Sequence, residues 1–169
     1  MLKQQWDIDE LIAHFTFVPP EIAWLGENAD HNHLGKATAL KWFQHEGRFP
    51  ERSADIPPAI VVHIAQQLGL PPAALSRYDG HGRRARAHKR AFRALYGFRR
   101  ATRTDQVALR TWLVAEVLPH EHRPLYLEQL VEQRLHQRHI EPPTQGQLAR
   151  LASVSQDLPR ATRRSTERR

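Results

Sequence analysis

Nine basic side chains stand between Gly80 and Arg103 with no acid among them: Arg83, Arg84, Arg86, Lys89, Arg90, Arg93, Arg99, Arg100 and Arg103. The chain of 169 residues holds 25 Lys+Arg and 18 Asp+Glu, a formal net charge of +7, and outside this segment 16 basic residues face all 18 acids. The positive excess is therefore local. Concentrated positive charge suits a partner with closely spaced negative charges, and nucleic acid is the commonest such partner. An acidic protein could dock on the same face, and competition by unrelated DNA across salt separates the two.

Other chemistries find less support. There are 11 histidines, and His31/His33 and His120/His122 are spaced by two while His136/His139 are spaced by three. Only the last spacing can share a helical face, whereas structural zinc takes four ligands and catalytic zinc three in a defined pocket. Cysteine is absent, which excludes a disulfide scaffold, thiolate zinc and thiol catalysis. No GxSxG, phosphate-binding loop, GxGxxG or HExxH occurs. The acid pairs Asp7/Asp9 and Glu128/Glu132 read as helix capping and a solvated face. No reaction, metal, cofactor or small-molecule substrate is expected. The start is polar and no apolar run approaches membrane-spanning length, so no membrane partner is expected and the cytoplasm, at the nucleoid, is the expected compartment.

A helix from Gly82 to Tyr96 is what would position the cations. On it Arg83, Arg86, Arg90 and Arg93 recur at three- and four-residue steps. His88, Phe92 and Leu95 fall opposite, flanked by Ala85, Ala91 and Tyr96, and Arg84 projects near the apolar side. Like charges so arranged repel, which an external polyanion would relieve. Trp112 and Tyr96 read as core, while Phe98, in a turn beside Arg99 and Arg100, is open to core or base stacking.

Proline and glycine divide the rest. Asp7 or Asp9 caps a helix with Ile8, Leu11, Ile12 and Phe15, and Pro19–Pro20 open a short one with Ile22, Trp24 and Leu25. His33 to Glu46 follows with Leu34, Ala37, Leu40 and Phe43, stopping at Gly47. Asp55 and Pro57–Pro58 start a helix with Ile60, Val61, Ile64, Ala65 and Leu68, closed by Gly69, and Pro72 to Ser76 make a turn at most. Beyond the basic helix, Thr104 caps a segment in which Val107, Leu109, Trp112, Leu113, Val117 and Leu118 cover most of the circumference, so it is expected at the centre of the core. Pro119 ends it, Pro124 opens a helix through Leu127, Leu130, Val131 and Leu135, and Thr144 caps a last one with Leu148, Leu151 and Val154. No strand is expected. The fold class is all-α: a multi-helix bundle, or two small helical subdomains with helix-turn-helix-like pairs, over 1–156, followed by a disordered basic tail over 157–169.

Six collinear strings carry a resemblance. They are LKWFQHEGRFP (Leu40–Pro50), IPPAIVVHIAQQLG (Ile56–Gly69), YDGHGR (Tyr78–Arg83), HKRAFRALYGFR (His88–Arg99), TWLVAEVLP (Thr111–Pro119) and IEPPT (Ile140–Thr144). In this order they resemble the N-terminal domain of transposases of the Tn-three family of replicative transposons. The resemblance implies a helical region that binds the terminal inverted repeats of a bacterial element as double-stranded DNA, the catalytic carboxylates lying in a separate ribonuclease-H-like domain. It also implies the rest of a transposase, or a second copy, as partners. The chain departs from that pattern at His33 and Lys36, around the Leu34–Gly35 pair, and in its last residues. A shortened transposase that regulates by occupying transposon ends is the alternative, and a protein-interaction module with a basic face is another.

Overall fold

The computed structural model describes residues 5–26 and 31–152. Val154 and the tail over 157–169 lie outside the described residues. Helices dominate: α1 (Ile8–Phe15), α2 (Pro19–Leu25), α3 (His31–Glu46), α4 (Pro58–Gln67), α5 (Arg83–Leu95), α6 (Arg103–Trp112), α7 (Pro124–Gln137) and α8 (Gln145–Ala152). Tight 3-10 turns run over Ser53–Asp55 and Pro72–Arg77, and two-residue strands β1 (Arg99–Arg100) and β2 (Ile140–Glu141) pair in parallel. Among the described residues no helix is long and apolar enough to cross a membrane. The chain forms two compact units that meet in sequence between Phe98 and Arg99.

In the first unit α3 is the helix buried almost all round. Leu34, Ala37, Leu40 and Phe43 supply the expected apolar face, but Thr38, Ala39, Lys41 and Trp42 are buried as well. Polar groups survive there because each has a partner. The Thr38 hydroxyl donates to the Leu34 carbonyl at 2.7 Å, and the Lys41 ammonium meets Glu21 at 2.7 Å. Phe43 stacks on Phe49 at 4.6 Å, and Phe92 of α5 packs on Trp24 at 4.9 Å. Phe98 joins this cluster, edge-on to Phe43 at 5.3 Å. Asp7 caps α1 in a reciprocal box with Glu10; of the four apolar residues read in this helix, Leu11 and Phe15 are buried while Ile8 and Ile12 are exposed.

The second unit packs α6, α7 and α8 around Leu109, Leu113, Val117, Leu127, Val131, Leu135 and Leu148. Thr102 caps α6, two residues earlier than the expected Thr104, because only Thr102 has a carboxylate at the third helical residue to close the box: Asp105 accepts from the Thr102 backbone N–H at 2.8 Å. The helix widens to a π turn over Leu113–Val117, with the Leu118 N–H reaching the Leu113 carbonyl at 2.8 Å. That extra residue keeps Leu113, Val117 and Leu118 all on the core side. The segment is nevertheless not the central helix expected from its apolar count. Val107 is 60% exposed and Trp112 half-buried, so α6 is amphipathic and lies at the surface. The strands, also unexpected, are too short to show a period in sequence; Arg99 pairs with Ile140 across the ladder.

Candidate nucleic-acid interface

The basic helix α5 begins after Gly82 and ends at Leu95, within one residue of the expected bounds. Ala85 and Phe92 are buried beneath it, and Arg83, Arg86 and Arg90 point outward and are exposed. Arg84 is exposed on one flank, beside Ala91 and Leu95. Leu95, expected underneath, is 53% exposed, because Tyr96 rather than Leu95 closes the last turn against the core.

Lys89 and Arg93 occupy the other flank and are half-buried. Their charged ends lie over the Phe49 ring at 5.5 and 5.9 Å, so their stems cover apolar surface while the charge reaches solvent. The outer face thus consists of three arginines and alanine, with further cations at both edges.

Two contacts hold this face rigid. The Tyr78 ring lies against Gly35 of α3, where an added Cβ would stand 2.1 Å from the ring. It also stacks on His88 of α5, and the Tyr78 hydroxyl lies 3.1 Å from His88 Nδ1. Burial, and then the Asp79 charge, push the Tyr78 hydroxyl up to about 12, so it keeps its proton. Burial first, then the Lys36 and Arg84 charges, lower the His88 pKa. The physical assignment is a tyrosine O–H donating to a neutral imidazole. At the other end of α5, Gln44 donates to both the Tyr96 hydroxyl and Glu21.

Arg99, Arg100 and Arg103 belong to the second unit and differ from one another. Arg99 is engaged: its two Nη groups donate to Asp105 at 2.6 and 2.7 Å. That fork, with the Thr102 hydroxyl and backbone N–H, holds the Asp105 carboxyl well below the usual carboxylate range. Arg100 is exposed on β1 and Arg103 is exposed as the first residue of α6. Trp112, expected in the core, lies half-buried under the Arg134 guanidinium at 4.2 Å.

The sequence pattern passed over one feature. Gln106, Val107 and Arg110 are exposed on α6 in line with Arg103. The spacing, with Gln106 and Val107 three and four residues after Arg103 and Arg110 three after Val107, was visible, but counting Val107 as apolar core hid the face. Among the described residues no group of three His, Asp or Glu side chains could hold a metal ion. Residues 1–154 match the family model described as Domain of unknown function (DUF4158). No curated protein matches the chain.

Proposed function

We propose, from the basic face described above, that this chain, a member of the DUF4158 family, is a double-stranded DNA-binding module. On this reading it is the end-recognition part of a transposase and performs no reaction itself. The observation that carries the reading is the outer face of α5: Arg83, Arg86 and Arg90 in one row, no carboxylate on it, on a helix fixed by buried Phe92 and the Tyr78–His88 pair. The backbone of such a row is already ordered in the helix before it meets successive phosphates, so the conformational entropy lost on binding is that of the arginine side chains. The transposon assignment rests on the six strings that resemble the Tn-three family, and on this reading the protein would act at the nucleoid.

Arginine forks bind phosphate through two hydrogen bonds, and the alanines between them let the backbone come close. Phosphate contacts of this kind fix register and orientation without carrying sequence information. The test is a fluorescence-anisotropy titration of the parent chain with duplex DNA over a range of salt. If about four to six of the exposed arginines reach phosphates, log K falls against log salt with a slope of roughly −3.6 to −5.4. A flat salt response, or equal binding to an acidic polypeptide and to duplex at the same charge density, removes the DNA reading.

A further inference from the structure

We infer that α6 is the base-reading helix of this protein, and that Arg103, Gln106, Val107 and Arg110 enter the major groove of duplex DNA. The inference rests on the DNA-binding reading above and adds where sequence is read. All four residues are exposed, and on a helix of 3.6 residues per turn they form one continuous stripe. The stripe contains no carboxylate. Among the described residues no side chain pairs with Arg103, Gln106 or Arg110. From Arg103 to Arg110 the helix rises about 10 Å, close to three base-pair steps and within a major groove about 12 Å wide.

The side chains on the stripe are those that tell base pairs apart. Arginine donates a fork to the O6 and N7 of guanine, glutamine donates to and accepts from adenine, and an aliphatic group packs on the thymine methyl. Val107, at 60% exposure, offers beside Arg103 and Arg110 an aliphatic surface on which a thymine methyl can pack. The helix is also held as a reader must be. Its first turn is closed by the Thr102–Asp105 box, and the Arg99 fork on Asp105 ties it to β1.

Neighbouring helices of the same unit are less suited. Gln147 of α8 is occupied at the helix start, where its Oε1 accepts from the Thr144 backbone N–H at 3.2 Å. α7 carries Glu128 and Glu132 four residues apart, which phosphates would repel. α5, for its part, offers cations and alanine but no amide side chain, so it can clamp the backbone without discriminating adenine.

The experiment selects sequences from a pool of duplexes with a randomised core, using the full chain and then Gln106→Ala, Gln106→Glu and Arg110→Ala. The parent is expected to enrich a short motif containing guanine and adenine steps. Gln106→Ala should lower the preference for that motif over a scrambled duplex by about 10- to 100-fold, the span of one bidentate base contact. Its affinity for the scrambled duplex and its salt slope should stay at the parent values, because no charge is lost. Gln106→Glu should move the preferred base at that position toward cytosine, whose amino group a carboxylate accepts. Recovery of the parent motif unchanged by both Gln106→Ala and Arg110→Ala overturns the inference. So does a parent chain that binds duplex with the expected salt slope and enriches no motif, an outcome that leaves the DNA-binding reading standing. Failure to bind any duplex removes both. All these positions are exposed, and a circular-dichroism melt of each variant shows that loss of preference is not loss of fold.

Discussion

The helices α5 and α6 are both amphipathic, both begin with arginine, and both present an outer face without carboxylates, yet their outer faces differ in composition, and on the proposed reading they would do different tasks. α5 carries Arg83, Arg86 and Arg90 separated by alanine, whereas α6 carries Arg103, Gln106, Val107 and Arg110. The first composition provides only positive charge, which attaches to any phosphate backbone. The second mixes a cation, an amide and an aliphatic group, which is what distinguishing base edges requires. Their anchors differ too. α5 is fixed by a fully buried phenylalanine and a tyrosine–histidine pair, α6 by buried Leu109, half-buried Trp112 and the fork of Arg99 on Asp105. On the proposed DNA-binding reading, affinity and specificity should be separable by substitution, and that separation is what experiments should try to break.

The largest effect is expected from the α5 anchor. Phe92 has no exposed surface and packs against Trp24 and Phe49. Phe92→Ala should cost about 3–5 kcal/mol in denaturant or thermal unfolding, the range for a buried phenylalanine. A loss under about 1 kcal/mol would mean that α5 does not depend on this core, and its face would then have no fixed geometry to offer.

The triple substitution of Arg83, Arg86 and Arg90 by alanine should leave the fold intact, because none of the three is buried. On a counterion slope of about 0.9 per contact, each phosphate contact is worth about fivefold at 0.15 M salt relative to 1 M. The variant should therefore bind duplex on the order of 100-fold more weakly, with a shallower salt slope and an unchanged motif preference. Loss of motif preference alongside affinity would merge the two roles that the helices are assigned here.

Trp112→Ala should cost less than Phe92→Ala, about 1–2 kcal/mol, since the ring is half-buried and part of its contact is with the Arg134 guanidinium. A loss as large as that of Phe92→Ala would return α6 to the centre of its unit. Equal stability to the parent would leave the ring free to stack on a base.

These contrasts were legible in the sequence to different degrees, for physical reasons. Charge is carried by residue type alone, so the location of the cations and the bounds of α5 could be read directly. Caps and prolines act locally, and so Asp7, Pro58, Pro124 and Thr144 marked helix starts correctly. Burial is tertiary. The all-round burial of α3 depends on Glu21 neutralising Lys41 from another helix, which its own sequence does not display. The same limit hid the exposure of Val107 and Leu95, since an apolar residue is placed inside or outside by what packs against it. Arg99 and Asp105 are six residues apart on different elements, a spacing at which no local rule pairs them.

The smallest expected effect concerns acid, and it separates the two anchors by chemistry. His88 has its pKa lowered from the ordinary 6.5, by burial first and then by the Lys36 and Arg84 charges. The unfolded chain therefore takes up this proton at a higher pH than the folded one. The stabilisation linked to His88 is complete above the unfolded value and is lost as the pH falls through the lowered folded value. Protonation would also take away the Nδ1 lone pair that receives the Tyr78 hydroxyl. The Trp112 ring carries no ionisable group, so its packing on α6 adds no matching loss. Melting temperatures followed from about pH 7.5 down to about pH 5 should fall less steeply for His88→Gln, whose amide oxygen can still accept from Tyr78 without binding a proton. His63, lowered by burial and 3.3 Å from the Thr16 hydroxyl, adds a second contribution of the same sign, so His63→Asn is the control and the double variant should be flatter than either. If His88→Gln follows the parent curve at every pH, the imidazole is not neutral against Tyr78, and the rigidity assigned to the α5 face must come from Phe92 and Gly35 alone.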